Sequence, residues 1–160
     1  MYEYNCTLVR VIDGDTVDVD IDLGFDTILK NQRIRLAGID TPESRTSDPV
    51  EKVYGLAAKK FLQECLRKSN PNNKLVLRTT TYDAKGKFGR ILGEIYNLFG
   101  AEPMTPERPT ISANKYLVEN HHAVAYHGQS KEDIKEAHLE NRLHLEWKDI
   151  EDDSKSGRGM

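Results

Sequence analysis

Cysteine is scarce in this 160-residue chain: Cys6 and Cys65 are the only two, far apart and each in an apolar setting. Two such thiols cannot build a four-ligand zinc site, and their surroundings suit core packing better than a disulfide. Positive charge is in short supply as well, with 23 Lys and Arg against 26 Asp and Glu and a net charge of −3. Nucleic-acid binding through bulk charge is thereby excluded, so any such contact must come from a local cluster. Long apolar runs are missing too. No stretch approaches the ~20 residues of a membrane span, so no membrane partner is expected. The opening "MYEYNCTLVRVIDGD" lacks the basic start and apolar run of an export signal. An intracellular or virus-borne role is therefore expected, although a chain already trimmed of its signal would look the same.

What is present reads as one folded domain. Hydrophobic residues make up 38% and charged residues 31%, and the length suffices for a single core. The first third alternates. "CTLVRVI" ends at the turn signal "DGD", and in "TVDVDID" Val17, Val19 and Ile21 fall on one face with Asp18, Asp20 and Asp22 on the other. A glycine turn follows, and "TILKNQRIRLAGI" returns with Ile34 and Leu36 inward and Arg33 and Arg35 on the opposite face. This is an antiparallel meander with three half-buried strands, and its aspartate face is expected to be solvated.

From Pro49 the period changes to a helical one, with Val50, Tyr54, Ala58, Phe61, Leu62, Cys65 and Leu66 on one stripe. "KLVLRTTTY" and "RILGEIYNLF" predict two more strands, joined by the polar loop "DAKGKFG". Residues 100–111, "GAEPMTPERPTI", hold three prolines and read as loop. Ser112 is placed to cap a short helix ending near Asn120. Ser130 with Asp133 caps a last helix running to Trp147. The pattern predicts a β-rich α+β domain over residues 1–150, a partly open five-stranded barrel of the oligonucleotide-binding type with three helices. Residues 151–160 read as a flexible acidic and polar tail.

Charge gathers where strands end. Asp15 lies in "DGDT"; Asp40, Thr41 and Glu43 lie in "DTPE"; Arg35 lies on the third strand and Arg90 closes "DAKGKFGR". Carboxylates from two turns suit a hard cation such as calcium or magnesium. Arginines grip phosphate with paired bonds, and a further carboxylate can take a proton from water. Each piece has a plain alternative. "DGD" alone could be only a tight turn, Asp40 and Glu43 could serve the start of the following helix, and the arginines could be scaffold or surface charge.

"VIDGDTVDV", "RIRLAGIDTPE" and "KGKFGRIL" resemble, in order and spacing, the signature of the staphylococcal-nuclease-like (thermonuclease) family, over roughly Thr7 to Trp147. The resemblance implies a five-stranded barrel that uses calcium to cut DNA and RNA, leaving 3′-phosphate and 5′-hydroxyl ends. It implies calcium bound by the Asp15 and Asp40 carboxylates and the Thr41 carbonyl, Glu43 as general base or water-orienting group, and Arg35 and Arg90 on the scissile phosphate. Lys87 matches a lysine that contacts an adjacent phosphate, and Tyr126 a tyrosine lining the nucleoside pocket. Phe88 replaces a tyrosine of the family pattern, keeping stacking and losing a hydroxyl, and Gly128 replaces a second pocket tyrosine.

The resulting expectation is a monomeric, calcium-dependent endonuclease acting on nucleic acid. The rival is a non-catalytic barrel module that binds single strands or a peptide, for which Glu43 and an intact metal pair are unnecessary. "DVDIDLG" does not make a helix–loop–helix calcium site, because its sixth and twelfth positions are Leu23 and Leu29. His121, His122 and His127 are read as surface imidazoles.

Overall fold

The computed structural model describes residues 2–67, 75–79, 90–98 and 111–150, without the side chains of Arg67 and Trp147. The chain runs through β1 (Glu3–Asp13), β2 (Thr16–Asp22), β3 (Ile28–Leu36), β4 (Ile39–Asp40) and α1 (Pro49–Arg67). It continues through β5 (Leu75–Thr79), β6 (Ile91–Tyr96), α2 (Ala113–Glu119), β7 (Val124–Ala125), α3 (Lys131–His144) and the single turn α4 (Trp147–Ile150).

Five strands close on themselves in the order β1-β2-β3-β6-β5, and β4 pairs with β7 apart from them. The expected meander is the β1–β2–β3 half, antiparallel throughout. The barrel is closed rather than partly open, because β6 returns parallel to β3 (Ile34↔Ile91, Leu36↔Gly93) and β5 pairs back onto β1. Closure removes the unpaired edges that an open sheet must protect. The inward stripe Val17, Val19, Ile34, Leu36, Leu77 and Ile95 is 0% exposed.

α1 begins where Asp48 caps it, its Oδ1 accepting from Val50 N at 3.0 Å and Glu51 N at 3.2 Å. That removes the capping role considered for Asp40 and Glu43. Val50 is exposed, so the buried stripe starts later, with Ala57, Ala58, Leu62, Cys65 and Leu66 against the barrel. Each fully buried leucine contributes about 1.5–3 kcal/mol, which outweighs the ~1 kcal/mol cost of Gly55 inside the helix. Cys6 and Cys65 are buried thiols, raised by burial to about 12.

Ser112 caps α2, accepting from Lys115 N, and Ser130 caps α3, accepting from Asp133 N. α3 stops at His144 rather than Trp147: Leu145 is extended, and Glu146 N donates to Asp149 Oδ2 at 2.8 Å to open α4. No helix among the described residues is long and apolar enough to cross a membrane.

Two readings are corrected. Asp18 is not solvated; it is 3% exposed, because the register sets it opposite Arg10 on β1 and Arg33 on β3. Arg33 Nε (2.9 Å) and Arg10 Nε (2.8 Å) both donate to it, and the Arg33 bond leads in holding its carboxyl below the ordinary value against the pull of burial. His122 is likewise no surface imidazole. It packs on Phe61 with ring centroids 4.6 Å apart, and burial pushes its pKa down to about 4, so it is neutral at pH 7.

Candidate active site

Asp15 sits in the two-residue turn between β1 and β2, and its carbonyl accepts from Leu36 N at 2.8 Å, fastening the turn to the end of β3. One residue on, Ala37 N donates to Gly93 O at 2.9 Å. Buried Asn114 of α2 secures this junction, donating to Ala37 O (2.8 Å) and Gly93 O (3.1 Å) and accepting from Ile95 N (3.4 Å). All the polar capacity of its amide nitrogen is thereby used inside the core. β4 leaves the barrel from this point, and Asp40 arrives beside Asp15.

Two glycines let the segments close on each other. A Cβ on Gly14 would lie 2.8 Å from Ala58 Cβ and 3.2 Å from Thr41 Cβ, so the bare backbone allows the Asp15 turn to sit on α1 and Thr41. A Cβ on Gly55 would lie 2.3 Å from Glu43 O and 2.6 Å from Ser44 N. Those are backbone atoms, which cannot swing aside as a side-chain tip can. Ala is the better helix former by ~1 kcal/mol, yet the clash decides the sign. Gly55→Ala is expected to lower stability by about 1–3 kcal/mol in urea denaturation and to displace Glu43. A variant that gains stability would show that α1 does not hold this segment.

Asp13, Asp15, Thr16, Arg35, Asp40, Thr41, Pro42, Glu43 and Arg90 line a cleft of about 200 Å³. All six residues expected to carry catalysis and metal binding are therefore together. Arg35 is fixed by donating from Nη1 to Leu36 O (2.6 Å) and from Nη2 to Ile39 O (2.8 Å), with Nη2 3.4 Å from Asp15 Oδ2. Thr16 Oγ1 donates to Asp15 Oδ1 at 3.0 Å. Ser44 donates to Asp13, which also lies 3.9 Å from Arg45 Nε. Arg90 enters just before β6, whose parallel pairing sets Leu92 beside Arg35.

Glu43 is exposed as a residue, yet partial loss of solvent raises its carboxyl above the ordinary value. The charges of Asp15, Asp13, Asp40 and Glu51 push it the same way. Four carboxylates against two guanidinium groups give the lining a formal charge of −2, which a divalent cation neutralises. Oxygen donors of this kind fit calcium or magnesium. Among the described residues no three His, Cys, Asp or Glu side chains cluster closely enough to hold a metal alone. A cation here would complete its shell with backbone, water or phosphate oxygens.

Tyr126 is 49% exposed and does not line the cleft; its N–H donates to Gly38 O at 2.8 Å, beside the β4–β7 pair. Lys87, Phe88 and nearly all of the 100–111 loop lie outside the described residues, as do residues 151–160. Asp13 and His138 were not anticipated. Asp13 was visible in "DGD" as the other acid of the turn. His138 Nε2 donates to Asp40 Oδ2 at 2.7 Å across 98 positions of sequence, a contact no local pattern announces.

A family model, described as staphylococcal nuclease homologue, matches residues 33–146, from β3 through α3 and including most of the cleft. The chain belongs to this family. Members similar to it include a thermonuclease of Staphylococcus intermedius, 37% identical over 87 residues, or 54% of this chain and 45% of that relative. An endonuclease YncB of Bacillus subtilis (strain 168) is 34% identical over 92 residues, 58% of this chain and 39% of its own length. The SPbeta prophage-derived endonuclease YokF of the same strain is 33% identical over 90 residues, covering 56% of this chain and 27% of the relative. The chain thus spans less than half the length of these relatives. Within the family fold, the cleft stands where β1, β3 and β4 end and β6 begins.

Proposed function

We propose that this chain is a calcium-dependent endonuclease that hydrolyses phosphodiester bonds in nucleic acid, leaving 3′-phosphate and 5′-hydroxyl ends. The observation that carries the reading is the meeting of Asp15, Asp40, Thr41, Glu43, Arg35 and Arg90 in one solvent-open cleft. The nuclease and endonuclease names of its family relatives support the substrate class.

On this reading the Asp15 and Asp40 carboxylates and the Thr41 carbonyl hold calcium. When bound, the ion polarises the phosphoryl group and offsets its charge. Glu43, its carboxyl raised by partial desolvation and then by neighbouring acids, takes the proton of a water aligned with the phosphorus. Arg35, already anchored on two carbonyls, turns its remaining N–H groups to the phosphate. Arg90 meets the same phosphate from the β6 side, and both guanidinium groups stabilise the charge gained in the transition state. Calcium is expected to be required outright. Plasmid and heat-denatured DNA incubated with calcium should lose intact strands, and excess chelator should abolish the loss. Strands left whole in both tubes would overturn the reading, and whole strands with retained binding would favour a non-catalytic module.

A further inference from the structure

His138 approaches the cleft from α3, its side chain 13% exposed against 35% for Asp40. A carboxylate can only accept, so the 2.7 Å contact puts the ring hydrogen on Nε2. The opposite nitrogen, Nδ1, is buried and has no hydrogen-bond partner among the described residues. His138 lines a small cavity of about 10 Å³, room for about one water molecule, together with His122, Asn141 and Arg142 among others. Arg142 Nε is also buried without a partner there. The helix that carries the ring is anchored one turn further on, where Arg142 lies 4.8 Å from the Tyr54 ring centroid and Asn141 Nδ2 donates to Ala123 O at 3.1 Å.

We propose that His138 is a positioning residue for Asp40. By occupying Oδ2 it stops the carboxylate from turning and leaves Oδ1 as the oxygen offered to a divalent cation. The inference rests on the calcium reading above, and it extends the site to a helix that contributes no group to the cleft lining. Hydrogen-bonded partners of this kind fix a ligand's orientation and typically change metal affinity by about 10- to 100-fold when removed.

The test is calcium binding by titration calorimetry on the full chain, without substrate. His138→Leu should weaken calcium binding about 10- to 100-fold. His138→Gln, which keeps an N–H within reach, should recover most of the loss. Melting each variant in chelator separates folding from metal affinity. His138→Phe keeps a ring and no donor, and supplies the same comparison if the leucine variant does not fold. Parent-like affinity in the donor-free variants, or equal weakening by Gln and Leu, would overturn the positioning role and leave the calcium reading standing. A parent chain that takes up no calcium would overturn both.

Discussion

Glu43→Gln is expected to lower kcat by about 10²- to 10⁴-fold, the usual contribution of a positioned general base. Binding of a nucleic-acid strand in calcium should change little, because glutamine keeps the size and polarity of the side chain and loses only the ability to take a proton. Stability should hold or rise. The carboxyl of Glu43 is raised by partial desolvation and by Asp15, Asp13, Asp40 and Glu51, so its ionised form is disfavoured in the fold. A neutral amide removes that repulsion. Single-turnover cleavage, strand binding and thermal melting, measured on one preparation, check the three parts together. Undiminished turnover would take Glu43 out of the chemistry, while a large fall in melting temperature would assign it a structural role instead.

Arg35 should be nearly as sensitive, and in a way that charge alone does not explain. Two of its N–H groups are committed to Leu36 O and Ile39 O, at 2.6 and 2.8 Å. The guanidinium therefore reaches the cleft already oriented, near Asp15 Oδ2 at 3.4 Å. Lysine carries the same charge as a point on a flexible stem and cannot serve two carbonyls while gripping phosphate with paired bonds. Arg35→Lys and Arg35→Ala are both expected to lower kcat by about 10²- to 10³-fold, and to lower stability by about 1–3 kcal/mol through the carbonyls left without a donor. Steady-state kinetics and urea midpoints read the two effects. Near-parental kcat in the lysine variant would mean that a positive charge suffices and the forked geometry is irrelevant.

Much of the site could be read in the sequence because its residues lie at strand ends, where period-two alternation breaks and turn residues begin. Val17, Val19, Ile34 and Leu36 announce their strands by burial on one face, and Asp15, Arg35 and Asp40 follow from where those strands stop. Features that depend on which strands become neighbours could not be read. Asp18 looks like one of three equivalent outward acids until the register sets Arg10 and Arg33 on either side of it. The parallel return of β6 beside β3 leaves no local mark, and neither does the splice that Asn114 makes between them. Gly14 reads as a turn residue and Gly55 as a flaw in a helix; their role is to let backbones approach, which only the packed structure defines. His122 and His138 are polar by type; the burial of His122 depends on its packing against Phe61, and the place of His138 beside Asp40 on where α3 docks.

The way α3 is attached has a consequence for hydrogen exchange. None of its residues is buried; it is held by the His138–Asp40 bond, the Asn141–Ala123 bond, the Arg142–Tyr54 contact and the stacking of His144 on His121. Lifting the helix away uncovers little oily surface, so that excursion costs far less than opening the barrel. Its amides should swap protons for deuterons well ahead of those in β2 and β3, and occupancy at Asp40 should slow them through His138 alone.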